Sequence, residues 1–532
     1  MRDYGQRAMA SAAAQAGACT RGEQPGSCRH SQWLLLAVIV VSTLLLLARL
    51  NVGFNPADDF AQAHIAERVL HGERPHVQFS DAYTGGLEDL HALALYLFGD
   101  RVLSLRLMLL VFFVAWVPAF WYIAYKMSST ATASLLTLLA VVWSVPVCPS
   151  PLGSWYGLYF ATFGTAALFR YIETRRSRWV FLAGILAGLS CLAKISGLYF
   201  LIAALLFLIF DEQNVQDEVQ VRETYVPDVS YSVLLTLVLV GFDIMLLLLL
   251  RSKANVTEAY HFAFPGIALS FLLIAREWGV PRFPVPVRLW QMAGRVLPLL
   301  LGALLPVGFF LRGYISSGTL GALILDVVVK PIVAWQPSFH TAIHPVGALC
   351  CIPLLAILAI NAQVRSETLR LWAFTVICLL SALALNQSLR SPEFARWVWV
   401  SAAAAIPLTI IIGVVLLLGG FSHGKQTSQL MLLMAVAGLC SLVQFPFSVP
   451  FYFCFVVPLG ILAFMAVANL VSSNGRLLLL LPVAVFYLAF VTLQVLPTQI
   501  YSRGLMFRPV GEETIAVPTI AAPGMQSAAS KR

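Results

Sequence analysis

Long apolar runs recur along nearly the whole chain, from Trp33 to Leu496. A helix that crosses a bilayer needs about 20 apolar residues, because unpaired backbone groups are costly in hydrocarbon. Some runs are short or end at proline, so we predict about 13 to 15 transmembrane helices. Only 11% of the 532 residues are charged, whereas soluble domains contain about 25%. The predicted fold class is an all-α polytopic membrane protein.

Arginines that flank short connections indicate the orientation of the spans. They cluster at residues 170–178, 276–295 and 365–370. Alternating spans put all three clusters on the side of the N-terminal tail, which the positive-inside rule assigns to the cytoplasm. Segments 51–102 and 313–342 then form the first and second outer loops. The acidic connection 211–230 argues weakly against this orientation, since acidic residues count for little in the rule.

The same pattern divides the chain into three parts. Residues 1–32 are polar and predict a disordered cytoplasmic tail, residues 33–496 the transmembrane domain, and residues 497–532 a short outward tail. The first span is interpreted as an uncleaved signal anchor, because no small-residue cleavage site follows it. The net charge of +9 reflects cations that flank spans and predicts no nucleic-acid partner. The nine cysteines show neither metal-ligand spacing nor a disulfide framework.

Two amphipathic helices are predicted within the first outer loop. Ala61–Leu70 has apolar residues at helical spacing, and Gly72 is suited to end it. The second helix, Leu87–Phe98, stops at Gly99 and leads into the next span. Helices of this kind lie on a membrane surface.

Acidic side chains in this loop are the first candidates for chemistry. Asp58 and Asp59 stand together at the start of the first amphipathic helix. Helix capping would explain one carboxylate but not both. A general base or a metal ligand beside the membrane is an equally good explanation of the pair. Asp81, Glu88 and Asp89 form a second acidic set, for which the favoured interpretation is a solvated loop and, for Glu88 and Asp89, the start of another helix. Nearby histidines lack a metal-ligand spacing, so no metal site is predicted.

Cations near the outer side are the second group of candidates. Lys194 interrupts the apolar run Gly184–Gly197, where a charge needs a partner or must extend to the interface. Arg251, Arg390 and Arg396 lie on the outer side against the positive-inside tendency. Phosphate binding and simple extension to the interface are both open for each cation. Gly184 and Gly188 are spaced for close helix packing.

These motifs resemble the GT-C glycosyltransferases, in the branch that contains protein O-mannosyltransferases and aminoarabinose–lipid A transferases. The similarity covers about residues 33–210. The matching residues of the first outer loop are Asp58-Asp59, Ala66, Leu70, Gly72, Pro75, Phe98-Gly99 and Arg106-Leu107. The segment Gly184–Gly197 with Lys194 resembles a second stretch of that branch. The acidic pair is Asp-Asp here, whereas it is usually Asp-Glu in the branch.

The resemblance implies an inverting transfer of a sugar from a polyprenyl-phosphate donor to a lipid, glycan or protein acceptor at the outer membrane face. It implies Asp58 as catalytic base with Asp59 in an orienting role, and no cofactor. Lys194, Arg251, Arg390 and Arg396 are then candidate donor-phosphate ligands. The implied location is a cell membrane, with the bacterial inner membrane favoured. A lipid-linked sugar transporter or flippase, and a catalytically silent scaffold of the same fold, are the alternatives.

Overall fold

The computed structural model describes residues 25–53, 56–81, 83–218, 229–251, 256–279, 284–330, 349–364, 366–420, 424–445, 450–471 and 478–497. These residues form helices and turns, with one isolated β-bridge between Pro75 and Phe79 and no β-strand. The helices in chain order are α1 (Pro25–Arg49), α2 (Ala61–Leu70), α3 (Gly86–Phe98), α4 (Val102–Met127), α5 (Thr130–Val142), α6 (Gly153–Thr174), α7 (Ser177–Ala193), α8 (Leu198–Glu218), α9 (Ser230–Leu250), α10 (Phe264–Glu277), α11 (Val285–Ser316), α12 (Leu320–Ile324), α13 (Ile352–Gln363), α14 (Glu367–Arg390), α15 (Pro392–Leu418), α16 (Lys425–Cys440), α17 (Val457–Val471) and α18 (Leu481–Phe490). Short π and 3-10 turns join several of them, among them Pro56–Phe60, Val145–Val147, Ile195–Gly197, Leu325–Val329, Pro450–Phe455 and Leu478–Leu480.

Membrane-spanning length is reached by many of these helices. Within the described ranges, 11 helices are long and apolar enough to cross a bilayer. Four shorter apolar helices accompany them, at Ser177–Ala193, Leu320–Val329, Leu349–Gln363 and Val457–Val471. The expectation of an all-α multi-pass membrane protein is confirmed.

The apolar stretch around Lys194 forms two helices. The backbone of Lys194 is extended (φ −163°, ψ 140°), so α7 ends before it and α8 begins after the turn Ile195–Gly197. Close packing at the two glycines of α7 is confirmed. A Cβ atom at Gly184 would collide with the Leu299 carbonyl of α11, and one at Gly188 with the Ala303 carbonyl.

One end of the bundle carries a buried network of ion pairs. Arg288 donates to Glu212 through Nε (3.1 Å) and Nη2 (2.7 Å), and it also donates to Glu277. Asp211 accepts from Arg175 and lies 3.6 Å from Nε of Arg295. The acidic start of connection 211–230 therefore lies at the same end as the arginines of connections 170–178 and 276–295. We call this the ion-pair end.

The opposite end, called the site end, is about 33 Å away, since α6 contains 22 residues and an α-helix rises about 1.5 Å per residue. Helix α6 begins at the site end and reaches the ion-pair end at Arg175. Helix α4 runs in the same direction, from Arg106 near its start to Lys126, which pairs with Glu173 at 2.6 Å.

Residues 51–102, the predicted first outer loop, contain the two expected helices at the site end. Helix α2 has the predicted limits, and Gly72 after it adopts a φ of +92° that favours glycine. Helix α3 begins one residue earlier than predicted, at Gly86. The two helices pack together through Ala66 and Leu95. Tyr314 of α11 donates to the Pro75 carbonyl (3.1 Å), which attaches the loop to the bundle.

Other predicted boundaries fall partly outside the described residues. Helix α1 begins at Pro25, before the predicted start of the transmembrane domain at residue 33, and proline is compatible with the first turn of a helix. Residues 313–330, predicted as part of the second outer loop, are largely helical in α11, α12 and the turn Leu325–Val329. Residues 331–342 of that loop, the tail residues 1–24, and residues 498–532 lie outside the described ranges.

Candidate active site

Asp59 is fully buried in a tight ion pair with Arg106. The guanidinium donates to Oδ1 (2.7 Å) and Oδ2 (3.0 Å), and the Ser150 hydroxyl donates to Oδ2 (2.7 Å). Phe60 precedes α2 and no side-chain cap is formed there, so helix capping does not account for Asp59. This carboxylate is committed to a structural contact.

Arg106 uses all of its donors in holding the entry to the outer loop. Besides Asp59, it donates to the carbonyl oxygens of Leu50 (2.8 Å), Val52 (2.8 Å) and Gly53 (3.0 Å). A guanidinium has five N–H groups, and these five contacts occupy them. The contacts fix the chain directly before the turn Pro56–Phe60, which carries Asp58.

Lys194 lies between two tyrosines that come from distant parts of the sequence. Its Nζ atom is 5.9 Å from the ring centroid of Tyr83 and 5.8 Å from that of Tyr452. Both distances are within the range of a cation–π interaction. Nζ also donates to the Ser154 hydroxyl at 2.9 Å. We call Tyr83 and Tyr452 the tyrosine pair.

Local contacts hold each member of this arrangement. The hydroxyl of Thr84 donates to the Cys191 carbonyl (2.8 Å), which attaches the Tyr83 segment to the end of α7. The turn Pro450–Phe455 packs on the start of α6, where the rings of Trp155 and Phe455 lie 4.4 Å apart. Trp155 also donates to the Cys148 carbonyl (3.1 Å), two residues before Ser150. The tyrosine pair and the Asp59–Arg106 pair are thus positioned by one set of neighbouring segments.

The charge of Asp58 acts on both members of the tyrosine pair. Desolvation raises the pKa of Tyr452 to about 12, and the charge of Asp58 adds to this shift. The pKa of Tyr83 is also well above its usual value because of desolvation, then Tyr452 and then Asp58. The Asp58 charge thus acts on the same two phenols that flank the Lys194 ammonium group.

A second carboxyl pair lies beside Tyr83. Glu88 lies in the first turn of α3, as the helix-start interpretation expects, and its side chain is fully buried. Desolvation, followed by the neighbouring Asp81 carboxyl group, raises the pKa of Glu88 well above 4.5. Asp89 is exposed and does not join the pair.

Replacing Glu88 with Gln should change how stability depends on pH. A carboxyl whose pKa is raised on folding contributes stability that is complete below its unfolded value and is lost as pH rises through the folded value. The free energy of unfolding of the wild type should therefore fall, relative to Glu88→Gln, as pH rises above about 4.5. Thermal unfolding across pH measures the difference. The exposed Glu393→Gln is the matched control, and parallel curves for wild type and Glu88→Gln would contradict the assignment.

The three predicted arginine ligands lie apart from this cluster. Arg251 ends α9 at the site end, whereas Arg390 and Arg396 flank the turn between α14 and α15. All three are exposed. Within the described residues, they share no hydrogen bond, ion pair or ring contact with Asp58, Lys194 or the tyrosine pair. The structure thus brings together Asp58, Lys194, Asp81 and Glu88, and leaves the arginines at the surface.

Sequence reasoning assigned no site role to Arg106, Ser150, Ser154 or the tyrosine pair. Only Arg106 carried a usable signal, because a single charge in the first turns of an apolar span requires a partner. No group of three or more His, Cys, Asp or Glu residues able to hold a metal ion occurs in the described part of the chain.

Comparison with known proteins gives a limited result. No protein-family model and no curated protein matches the chain. Among solved structures, the chain is similar to the archaeal oligosaccharyltransferase AglB from Archaeoglobus fulgidus, solved in complex with an inhibitory peptide and a dolichol-phosphate. The identity is 12% and the TM-score 0.31, over 84% of this chain and 56% of that chain. The chain thus spans little more than half the length of AglB, and a similarity at this level carries no argument about function.

Proposed function

We propose that this protein is an inverting membrane glycosyltransferase with a GT-C-like fold. It would transfer a sugar from a polyprenyl-phosphate donor to a lipid, glycan or protein acceptor at the outer face of a cell membrane. One observation carries the proposal: Lys194, the cation expected from the sequence, lies between Tyr83 and Tyr452, and the charge of Asp58, the expected base, acts on the same two tyrosines. A carboxylate and a cation at the same two tyrosines suit glycosyl transfer from a phosphate donor. The carboxylate can accept the proton of the acceptor hydroxyl, and the cation can stabilise the phosphate that leaves.

The chemistry follows from the two side chains. Asp58 accepts the proton of an acceptor hydroxyl, whose oxygen forms a bond to the anomeric carbon of the sugar. The bond from that carbon to the phosphate oxygen breaks at the same time, and the phosphate leaves with the electron pair. Lys194 stabilises the negative charge that develops on the phosphate. Asp59 and Arg106 position Asp58 by fixing the adjacent backbone, and exposed Arg251, Arg390 and Arg396 are proposed to hold lipid phosphate at the rim.

The reaction should weaken at alkaline pH because Lys194 loses its charge. Desolvation lowers the pKa of Lys194, which lies between α7 and α8, from 10.5 to about 8. A lysine is cationic below its pKa, so kcat/KM for the free enzyme should fall as pH rises through about 8. Lys194→Arg should remove this limb, because arginine stays charged, and Lys194→Met should lower the rate at every pH. An unchanged alkaline limb in Lys194→Arg would contradict this role.

Purified full-length protein incubated with a radiolabelled polyprenyl-phosphate sugar in vesicles tests the proposed function. Appearance of label in water-soluble or lipid acceptors, dependent on Asp58, supports the glycosyltransferase. Movement of the labelled lipid across the bilayer without sugar release would identify a flippase and reject the proposal. If neither sugar transfer nor lipid movement is seen with a panel of lipid, glycan and peptide acceptors, the glycosyltransferase proposal is also rejected. The catalytically silent scaffold is then the remaining interpretation.

A further inference from the structure

A cavity of about 820 Å³ lies between α5, α15, α17 and α18. Apolar side chains form most of its wall, including Leu139, Ile406, Val457, Ile461 and Phe464. Protein interiors are close-packed, with few voids larger than a water molecule. A volume of this size falls in the range of ligand pockets, about 300–1,000 Å³, so the cavity is better explained as a binding site than as a packing defect.

The cavity has a closed end and an open end. Trp143, only 1% exposed, closes the inner end, where its ring stacks on Trp399 with centroids 4.8 Å apart. The open end of the cavity is lined by Ser129, Leu478 and Leu481, which are exposed. Met127, the last residue of α4, also lines that end. The opening is therefore at the ion-pair end of the bundle, away from the tyrosine pair.

Polar groups in the wall already have partners. The hydroxyl of Thr409 donates to the Ala405 carbonyl (2.7 Å) and the amide of Asn469 to the Met127 carbonyl (2.7 Å). The hydroxyl of Tyr487 is bonded to Ser401 (2.8 Å). A buried water needs two to four polar partners, and these groups offer few. The interior of the cavity therefore favours hydrocarbon over water.

Three of the four helices that line the cavity belong to candidate membrane spans, namely Thr130–Val147, Pro392–Leu418 and Leu478–Val495, and the fourth, α17, is a shorter apolar helix. Their surroundings are lipid, which supplies hydrocarbon chains at high local concentration. We propose that the cavity binds one lipid hydrocarbon chain, entering from the membrane leaflet at the ion-pair end. The lipid head would lie at the hydroxyl groups of Ser128 and Ser129. This site is separate from the proposed reaction, and does not depend on it.

Photolabelling tests the proposal in the full-length protein. The protein is reconstituted in vesicles of phosphatidylethanolamine and phosphatidylglycerol that contain a phosphatidylethanolamine with a diazirine on its acyl chain. After illumination, mass spectrometry of peptides should find label on cavity residues such as Leu139, Ile406 and Phe464. Ala484→Trp places a large ring in the cavity and should cause a several-fold loss of that label.

Val485→Trp is the matched control, because Val485 follows Ala484 on α18 but is 47% exposed and lies outside the cavity wall. It should leave cavity labelling unchanged. Ala405→Phe fills the cavity from α15 and replaces Ala484→Trp if that variant does not fold, as judged by its thermal unfolding. Labelling confined to outward-facing residues, or equal cavity labelling in filled and control variants, would overturn the proposal.

Competition then distinguishes the two sources of a hydrocarbon chain. Loss of cavity label on adding a small amount of unlabelled polyprenyl phosphate identifies an isoprenoid chain. Loss only in proportion to unlabelled phospholipid identifies a membrane acyl chain. Both results support a hydrocarbon-chain site, whereas cavity label that resists a large excess of each competitor would show non-specific capture and overturn it.

Discussion

Asp58→Asn should lower the rate of sugar transfer by about 10²–10⁴-fold, the usual contribution of a positioned general base. The amide keeps the size of the carboxylate but cannot accept the acceptor proton, so the loss should appear in kcat as well as in kcat/KM. The side chain is only partly buried and its backbone is fixed through Asp59, so the variant should insert and fold normally. Initial rates with saturating donor measure the effect.

The control for this experiment is Asp100→Asn, which neutralises an exposed carboxylate in the same outer segment. It makes the same chemical change without touching the tyrosine pair, and it should keep the wild-type rate. Wild-type turnover in Asp58→Asn would remove the base from the mechanism. An equal loss in both variants would show that the overall charge of the loop matters rather than the position of Asp58.

Asp59→Ala should lower the free energy of unfolding by about 3–5 kcal/mol, because it leaves the buried guanidinium of Arg106 without its counter-charge. Arg106→Met should be damaging for the converse reason. The double variant should recover part of the loss, since neither charge is then left alone in the interior. Denaturant unfolding in mixed micelles provides the three values.

A half-exposed pair in the same loop is the matched control. Arg68 and Glu73 form an ion pair whose side chains are 32% and 38% exposed. Exposed pairs contribute about 0–1 kcal/mol, so Glu73→Ala should change stability little. If Asp59→Ala and Glu73→Ala cost the same, the buried pair is not the contact that fixes the outer loop.

Local patterns in the sequence were enough to predict much of the fold. The periodicity of Ala61–Leu70 defined α2 at both ends, because amphipathic spacing and a following glycine act over a few residues. The spacing of Gly184 and Gly188 predicted a close helix contact, and α11 supplies it. These features depend on neighbours within one or two helical turns, which is the range over which a single sequence is informative.

The partners within the candidate site could not be predicted in the same way. Asp59 meets Arg106 from the next span, and Lys194 meets Tyr452 from near the end of the chain. Apolar runs of similar composition do not specify which helices become neighbours. The sequence therefore indicated Asp58 and Lys194 singly, while their common surface, the tyrosine pair, became visible only in three dimensions.

The network at the ion-pair end also constrains the order in which the chain can assemble. Glu212 and Glu277 are made before Arg288, and both are fully shielded from solvent in the folded protein. Until the ribosome has added α11, neither acid has the Arg288 guanidinium that both share in the folded protein, and their burial without it would be costly. Helices α8 and α10 must therefore wait for α11 before this end of the bundle closes, so a nascent chain halted before residue 288 should remain open to proteases there.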